Sequence, residues 1–277
     1  MKIKLVALDI DGTLLDSQGE LPIENARAID EVLRRGVKVI LVTGRRSGTA
    51  LKISSSLNLT FPLIVHNGAL IRAPHNSHRI RAQFIQPEIA FEILSGTEQY
   101  RDYVVLHRDK NDNGQQVVHP SCRHNALMQR YLAHFPDGVL ELQCLTDVLD
   151  KDLIQVMFGG HLPVVQEIEQ YLMLSGLISR VNMTKTYYPE RELGIIDLLD
   201  KGCSKGAALK YLANYYGLIP GEIMAIGDNH NDLEMLEFSG LGVIMGNCVK
   251  DLKNKGFYET ASNNENGVAL ALRQFVV

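Results

Sequence analysis

Residues 6–16 read VALDIDGTLLD, so an apolar run near the N-terminus ends in two closely spaced carboxylates. The apolar residues predict a short buried strand, and its period of two places the side chains of Asp9 and Asp11 on one face. At about 4 Å and an effective dielectric constant near 20, the repulsion between two such charges is roughly 4 kcal/mol. That is comparable to much of the net stability of a domain, about 5–15 kcal/mol. The pair therefore needs a compensating interaction such as a bound divalent cation, unless both acids are solvated at a strand end.

The following residues continue the pattern of an α/β fold. Residues 23–36 (IENARAIDEVLRRG) place apolar side chains near helical spacing and end at a glycine, which is typical of a helix C-terminus. Residues 37–45 (VKVILVTGR) form a nearly continuous apolar strand, as in parallel sheets buried on both faces. After a further helical stretch, residues 62–69 (PLIVHNGA) run from a strand into a polar turn. Because ligands bind outside the carboxyl ends of such strands, we expect a site next to Asp9, Asp11, Thr43 to Arg45, Asn67 and Gly68.

The same alternation returns near the C-terminus. Residues 203–217 predict a helix, and residues 222–232 and 241–247 predict two more strands. Residues 84–190 differ, because helical stretches there alternate with strands and polar loops, which predicts an inserted α+β domain. The predicted fold class is α/β, with a Rossmann-like three-layer parallel-sheet core formed by residues 1–83 and 191–277.

Composition excludes several classes of protein. With 28 Lys and Arg against 32 Asp and Glu, the formal net charge is −4, and there is no Trp, so no nucleic acid partner is expected. No apolar run approaches 18 residues, and Asp9 interrupts the N-terminal one, so we expect no membrane segment or signal peptide and a cytoplasmic protein. The cysteines are far apart and are expected to be reduced structural thiols: Cys122, Cys144, Cys203 and Cys248.

A second acidic cluster follows the strand predicted near residue 225. The segment GDNHND, residues 227–232, places Asp228 at the carboxyl end of that strand, with Asn231 and Asp232 at the start of the next helix. Asp228 would supply a further oxygen ligand to a cation site. Asn231 and Asp232 are also explained as helix N-caps, and either residue could serve both roles.

Two other features suit a bound anion. Thr43 and the amide of Gly44, at the end of the second strand, can hold an anionic oxygen. Lys205 follows Ser204 at a predicted helix start, where the helix dipole disfavours a cation. Its position indicates a fixed anion nearby, with a solvated surface lysine as the alternative.

Four segments in this order, DIDGTLLD, VTGR, SKG and GDNHND, resemble the four motifs of the haloacid dehalogenase superfamily of phosphohydrolases. The long insert between the second and third motifs, together with HNGA, is similar to the Cof-type members, the subfamily IIB phosphatases with an α/β cap. The resemblance covers the core, whereas residues 84–190 match only in length and element order. It implies that these residues form a cap that selects the substrate.

The resemblance also implies a role for each motif residue. Asp9 would be the nucleophile that forms an aspartyl-phosphate, and Asp11 would protonate the leaving oxygen and then activate water. Mg²⁺ would be held by the Asp9 carboxylate, the Asp11 backbone carbonyl and Asp228. The phosphoryl oxygens would be bound by the Ile10 amide, Thr43, Gly44, Lys205 and Asn231.

Further residues are candidates for support or substrate contact. Asp232 would steady Lys205 or a metal-bound water. Ordinary hydrogen bonding is the alternative to substrate contact for Arg45, His66 and Asn67 in the core. The candidates in the cap are His107, Arg108, Arg123 and His124.

These observations predict a Mg²⁺-dependent phosphatase that acts on a small phosphorylated metabolite, with sugar phosphates first by resemblance. A phosphotransferase such as a phosphosugar mutase would use the same residues and hand the phosphoryl group to another hydroxyl. A regulatory module that binds phosphometabolites with a dormant site is a third hypothesis, and the complete set of acids with Lys205 argues against it. The substrate depends on the side chains that the cap presents, so the motifs do not name it, and they do not determine the oligomeric state.

Overall fold

The computed structural model describes residues 2–74, 78–110, 113–133, 135, 139–150, 152–188 and 192–277. The chain forms two compact units. The first unit comprises Met1–Arg81 and Ser204–Val277, and the second comprises Ala82–Cys203. Among the helices in the described ranges, none combines the length and the apolar character needed to cross a membrane.

The first unit is built on a parallel sheet. Its strands, numbered along the whole chain, are β1 (Leu5–Leu8), β2 (Lys38–Leu41), β3 (Leu63–Val65), β4 (Leu70–Arg72), β5 (Arg79–Ala82), β12 (Ile223–Gly227), β13 (Leu241–Ile244) and β14 (Tyr258–Glu259). Its helices are α1 (Ile23–Arg34), α2 (Ser47–Ser56), α6 (Lys205–Tyr215), α7 (Leu233–Phe238), α8 (Lys250–Lys253) and α9 (Gly267–Phe275).

The strand order of the main sheet is β14-β13-β12-β1-β2, and all its pairs are parallel. The central strand β1 is fully buried, and its last residue, Leu8, pairs with Leu41 on one side and Ile226 on the other. A parallel bridge between Val42 and Ile64 places β3 beside the end of β2. The carboxyl ends of β1, β2, β3 and β12 therefore meet at one edge of the sheet.

Helices cover both faces of this sheet. Leu5 and Ala7 of β1 pack into one apolar cluster with residues of α6 and α7, such as Leu209 and Met235. Because side chains alternate along a strand, the equally buried Val6 and Leu8 point to the opposite face. On the remaining side, α1 packs against β2 and against α9. The predicted parallel-sheet core with helices on it is confirmed.

The second unit combines a six-stranded sheet, in the order β10-β11-β9-β6-β7-β8, with helices. The strands are β6 (Val104–Lys110), β7 (Asn113–Val118), β8 (Val139–Glu141), β9 (Leu153–His161), β10 (Val181–Tyr188) and β11 (Leu193–Asp200). The helices are α3 (Pro87–Gly96), α4 (Ala126–Leu132) and α5 (Leu162–Leu174). All strand pairs are antiparallel except β7 with β8, and α3 and α5 share the apolar core of one sheet face.

The second unit extends beyond residue 190, where the sequence pattern predicted the return to the core. Strand β11 pairs along its length with β10, from Val181 opposite Asp200 to Tyr188 opposite Leu193, and it also pairs with β9. This antiparallel pairing keeps β11 in the second sheet, and the unit continues to Cys203. The residues around 190 themselves lie outside the described ranges.

Candidate active site

The turn after β1 brings the first two acids to the edge of the sheet. Asp9 is buried and its amide donates to the Ile226 carbonyl at 3.1 Å, so the turn starts at a fixed point between β1 and β12. Gly12 has a φ of +77°, a conformation that side chains with a Cβ rarely adopt. A Cβ atom on Gly12 would also lie only 2.5 Å from Asp228 Oδ2. The glycine therefore lets the turn approach Asp228.

Lys205, the first residue of α6, lies between two buried carboxylates. Its Nζ donates to Asp9 Oδ1 at 2.6 Å and to Asp232 Oδ1 at 2.7 Å, and its side chain is only 2% exposed. Burial by itself would lower the pKa of Lys205, but the carboxylates of Asp232 and Asp9 outweigh it and raise that pKa above its ordinary value. The ammonium group therefore stays charged and ties the third motif to the first and the fourth.

Asp232 uses both of its oxygens inside the protein. Oδ1 accepts from Lys205, and Oδ2 accepts from the backbone amides of Asp228 and Asn229, each at 3.0 Å. The side chain is fully buried. Asp232 therefore orients both Lys205 and the turn that carries Asp228.

Asp228 lies beside Thr13 and near the other acids. Its Oδ1 accepts from the Thr13 hydroxyl at 3.0 Å. Burial, and then the neighbouring Asp232 carboxylate, raise the pKa of Asp228 to about 7, although Lys205 and the Thr13 hydrogen bond oppose the shift. Burial also raises the pKa of Asp9 well above its usual range; Lys205 opposes this shift, and Asp232 and Asp228 add to it. The ionised form of each acid is therefore less favourable here than in water.

These residues fit a divalent cation. Among the described residues, carboxylate oxygens of Asp9, Asp228 and Asp232 lie within 4.8 Å of one another. Oxygen donors with excess negative charge are what a hard cation such as Mg²⁺ prefers. Because hydrogen bonds already occupy both oxygens of Asp232, Asp9 and Asp228 are the better side-chain ligands. That the Asp11 backbone carbonyl is also a ligand of the cation stays a prediction.

The side chain of Asp11 points away from this acidic cluster to an arginine. Arg45 donates from Nε to Asp11 Oδ2 at 2.8 Å and from Nη2 to Oδ1 at 2.6 Å. The Asp11 side chain is 51% exposed. The proposed acid and base therefore lies at the solvent side of the site, with both oxygens bound by one guanidinium.

The ends of β2 and β3 bring together a group of neutral polar residues. The amide of Asn67 donates to the Thr43 carbonyl at 3.0 Å, and Asn67 Oδ1 accepts from Asn231 Nδ2 at 3.0 Å. A Cβ atom on Gly44 would lie 3.0 Å from the same Asn67 oxygen. Thr43, Gly44, Asn67 and Asn231 are therefore neighbours, and the Thr43 Oγ1 accepts from the Arg45 amide at 3.0 Å.

The turn at residues 66–68 has an unusual backbone and contacts the start of α6. His66, Asn67 and Gly68 have φ angles of +49°, +51° and +98°. A Cβ atom on Gly68 would lie 2.1 Å from the Ser204 carbonyl oxygen, so only glycine permits this close approach. The turn thereby holds the helix that begins with Lys205. His66 is buried, and its amide donates to the Arg45 carbonyl at 3.0 Å.

Three asparagines that the motif analysis missed hold the backbone of the first motif. Asn247 Nδ2 donates to the Gly12 carbonyl at 2.8 Å, and Asn263 Nδ2 donates to the Leu15 carbonyl at 2.9 Å. The buried Asn25 donates to the Leu14 carbonyl at 3.0 Å. The available signal was weak, because Asn247 and Asn263 appear in the sequence only as loop asparagines outside the four motifs.

The four cap candidates lie in the second unit. His107 is buried, and its Nε2 is 3.2 Å from the Tyr131 hydroxyl. Arg108 is buried and contacts Gln115 and Asp150, Arg123 is exposed and contacts Glu141, and His124 is exposed. Their contact with substrate stays a prediction.

The chain matches a family model described as haloacid dehalogenase-like hydrolase over residues 6–272. It is 31% identical to the stress response protein YhaX of Bacillus subtilis, over 99% of this chain and 94% of that protein. It is 27% identical to the 5-amino-6-(5-phospho-D-ribitylamino)uracil phosphatase YwtE of the same organism, over 99% of this chain and 98% of that one.

Solved structures agree with these matches. The phosphatase BT1666 from Bacteroides thetaiotaomicron superposes with a TM-score of 0.80 at 26% identity, covering 100% of this chain and 96% of that one. The predicted combination of a Rossmann-like core with a cap is therefore confirmed as the fold class. The chain belongs to the haloacid dehalogenase-like hydrolases and, as its four motifs predicted, to the Cof-type phosphatases of that superfamily.

Proposed function

We propose that this phosphatase depends on Mg²⁺ and hydrolyses small phosphorylated metabolites, sugar phosphates first, through an aspartyl-phosphate on Asp9. The observation that carries the proposal is the buried Asp9 carboxylate, hydrogen-bonded to Lys205 at 2.6 Å and within 4.8 Å of the oxygens of Asp228 and Asp232. The name of the relative YwtE gives a phosphorylated ribityl compound as the substrate of that protein, which supports a polyol or sugar phosphate here.

In the first step, the Asp9 carboxylate attacks phosphorus, and the bond from phosphorus to the ester oxygen breaks. Asp11 gives a proton to the leaving oxygen, so the product departs as an alcohol. Lys205 orients the Asp9 carboxylate through its hydrogen bond and Asp232 orients Lys205. A divalent cation held by Asp9 and Asp228, when bound, supplies positive charge that reduces the repulsion between an anionic nucleophile and an anionic phosphate.

In the second step, water attacks the phosphoryl group on Asp9. Asp11, now ionised, takes a proton from that water, and Asp9 is released as a carboxylate together with inorganic phosphate. The phosphoryl oxygens are bound by Thr43, the amides of Gly44 and Ile10, Lys205 and Asn231. Preorganised donors of this kind stabilise charge as it redistributes, without a cost of reorganisation at the moment of reaction.

The substitution Asp9→Asn tests the nucleophile. It removes the attacking carboxylate while keeping the size of the side chain, so we expect phosphate release to fall by at least about 10³-fold with an unchanged circular dichroism spectrum. Asp30→Asn, on the exposed side of α1, is the matched control and should keep full activity. Substantial turnover by the Asp9 variant would contradict the assignment.

Product analysis separates hydrolysis from transfer. The phosphatase releases inorganic phosphate from a sugar phosphate, whereas a phosphosugar mutase returns an isomerised sugar phosphate. A panel of phosphorylated sugars, nucleotides and cofactors, assayed with Mg²⁺, would identify the substrate class. Isomerisation without phosphate release would favour the transferase.

A further inference from the structure

The contact between Arg45 and Asp11 fixes the direction of a carboxylate at the solvent side of the site. Two N–H groups of one planar guanidinium bind the two carboxylate oxygens, at 2.8 and 2.6 Å. Such a two-point contact sets the plane and the orientation of the carboxylate, which a single hydrogen bond does not. With half of its surface exposed, the Asp11 side chain would otherwise distribute over several rotamers.

Hydrogen bonds also hold the backbone of Arg45, which carries the guanidinium, in place. The Arg45 amide donates to Thr43 Oγ1 at 3.0 Å, and the Arg45 carbonyl accepts from the His66 amide at 3.0 Å. These bonds join the ends of β2 and β3, so the arginine is anchored to the parallel sheet. Its side chain is 30% exposed and extends from this anchor to Asp11.

We propose that Arg45 is a positioning residue for Asp11, which presets the carboxylate for both proton transfers. The inference rests on the proposed function, in which Asp11 is the acid and the base. During protonation of the leaving oxygen, one Arg45 hydrogen bond releases the Asp11 oxygen that carries the proton, and the other keeps the carboxylate in place. Orientation matters, because proton transfer needs about 2.6–3.2 Å between the heavy atoms, and misplacement by about 1 Å costs about 10²-fold in rate.

Two esters of similar shape test this role. Phenyl phosphate needs protonation of its leaving oxygen, whereas p-nitrophenyl phosphate leaves as a stabilised phenolate and needs little. We expect Arg45→Ala to lower kcat/KM for phenyl phosphate by at least about tenfold and for p-nitrophenyl phosphate by less than about threefold. Arg45→Lys keeps the positive charge but cannot bind both carboxylate oxygens through one planar group. It should therefore recover only a small part of the lost activity.

Controls separate positioning from other roles. Arg27→Ala breaks an exposed ion pair with Glu24, 2.7 Å long, and should leave both esters unchanged. In an Asp11→Asn background the second step is also impaired, so release of phenol and of nitrophenol is followed over a single turnover. Arg45→Ala should then no longer change the ratio between the two esters, because Arg45 has no proton donor to position. An unchanged circular dichroism spectrum shows that the variants are folded.

Two results would overturn the inference. An equal fall for both esters would show that Arg45 binds the phosphoryl group instead of positioning Asp11. An undiminished effect in the Asp11→Asn background would show that Arg45 acts independently of Asp11. Failure of the proposed function is distinguishable, since wild-type protein would then hydrolyse neither ester, whereas failure of the inference leaves wild-type hydrolysis intact.

Discussion

At the scale of residues, the site around Asp9 contains more buried carboxyl groups than buried cations. Asp9, Asp228 and Asp232 are buried, and Lys205 is the ammonium group that two of them share. Burial raises the pKa of Asp9 and of Asp228, because each ionised carboxylate is less stable there than in water. A bound divalent cation would offset this cost, which is consistent with the proposed metal site.

Gly12 allows a test of the space next to Asp228. Gly12→Ala places a methyl group 2.5 Å from Asp228 Oδ2 in a backbone with φ of +77°. We expect loss of most activity and destabilisation by about 2–4 kcal/mol, since both backbone strain and displacement of Asp228 contribute. Phosphate release and urea unfolding measure the two effects.

Gly19 is the matched control for Gly12. Its φ is +82°, but a Cβ atom there would meet nothing within 4 Å. Gly19→Ala should therefore cost only the backbone strain, about 1 kcal/mol, and leave activity intact. If the two alanine variants lost equal activity, contact with Asp228 would not be the reason that Gly12 is needed.

The motifs predicted which residues meet at the sheet edge, but they did not predict the partners of those residues. Asp9 was predicted as a site residue because it ends an apolar strand, and Lys205 because a cation at the N-terminus of a helix is unfavourable without an anion nearby. The hydrogen bond between Thr13 and Asp228 joins residues 215 positions apart, and it depends on β1 and β12 being neighbours. The two hydrogen bonds from Arg45 to Asp11 depend likewise on the pairing of β1 with β2. Strand order is a tertiary property, so local patterns do not give it.

At the scale of elements, strand β11 shows that the end of the insert predicted from the sequence, residue 190, differs from the end of the second unit, Cys203. The strand lies after the expected end of the insert, yet its antiparallel pairing with β9 and β10 belongs to the second sheet. Its residues alternate as in any half-buried strand, and this pattern does not tell which sheet the strand joins. The predicted alternation of helical stretches with strands inside the insert is present as α3, α4 and α5 among strands β6 to β11.

The same strand carries a partly buried acid, Asp197, that makes stability depend on pH. Burial raises the pKa of Asp197 to about 7, although a hydrogen bond from Gln155 at 2.5 Å opposes the shift. Because the folded-state pKa exceeds the unfolded one near 3.8, the folded protein binds the proton more tightly, and stability falls as pH rises from about 4 to 7. Asp197→Asn removes this loss and keeps an oxygen for Gln155.

The free energy of unfolding, measured with urea at pH 5 and pH 8, checks this prediction. We expect Asp197→Asn to stabilise the protein more at pH 8 than at pH 5, by on the order of 1–2 kcal/mol. Asp200→Asn, at the end of the same strand, is the control, since the Asp200 carboxylate accepts from the Gly202 amide instead of from Gln155. An equal effect of Asp197→Asn at both pH values would show that burial does not shift the titration of this acid.

At the scale of the whole molecule, the candidate metal site joins segments from opposite ends of the chain. Asp9 follows β1 and Asp228 follows β12, so a cation held by both would hold these two segments together. A ligand that binds only the folded state at 100 times its Kd stabilises it by about 2.7 kcal/mol. A rise in the melting temperature on addition of the cation should therefore detect binding at this site without any substrate.

Asp228→Asn should have opposite effects with and without Mg²⁺. Without the ion, removal of one repelling charge raises the melting temperature at pH 8, because Asp228 is then ionised in the wild type. With Mg²⁺, the wild type gains several degrees and the variant gains almost none. Differential scanning calorimetry measures both. A full Mg²⁺ shift in the variant would exclude Asp228 as a ligand.

The strand order of the first unit has a consequence for synthesis of the chain. Strand β1 pairs with β2 on one side, and its other edge waits for β12, which begins at Ile223. One edge of this buried apolar strand therefore stays unpaired while the ribosome makes the whole of the second unit, which can form its own sheet first. Unpaired apolar edges invite pairing with foreign strands. The strand that leads to Asp9 is thus open to aggregation in the nascent polypeptide until β12 has been made.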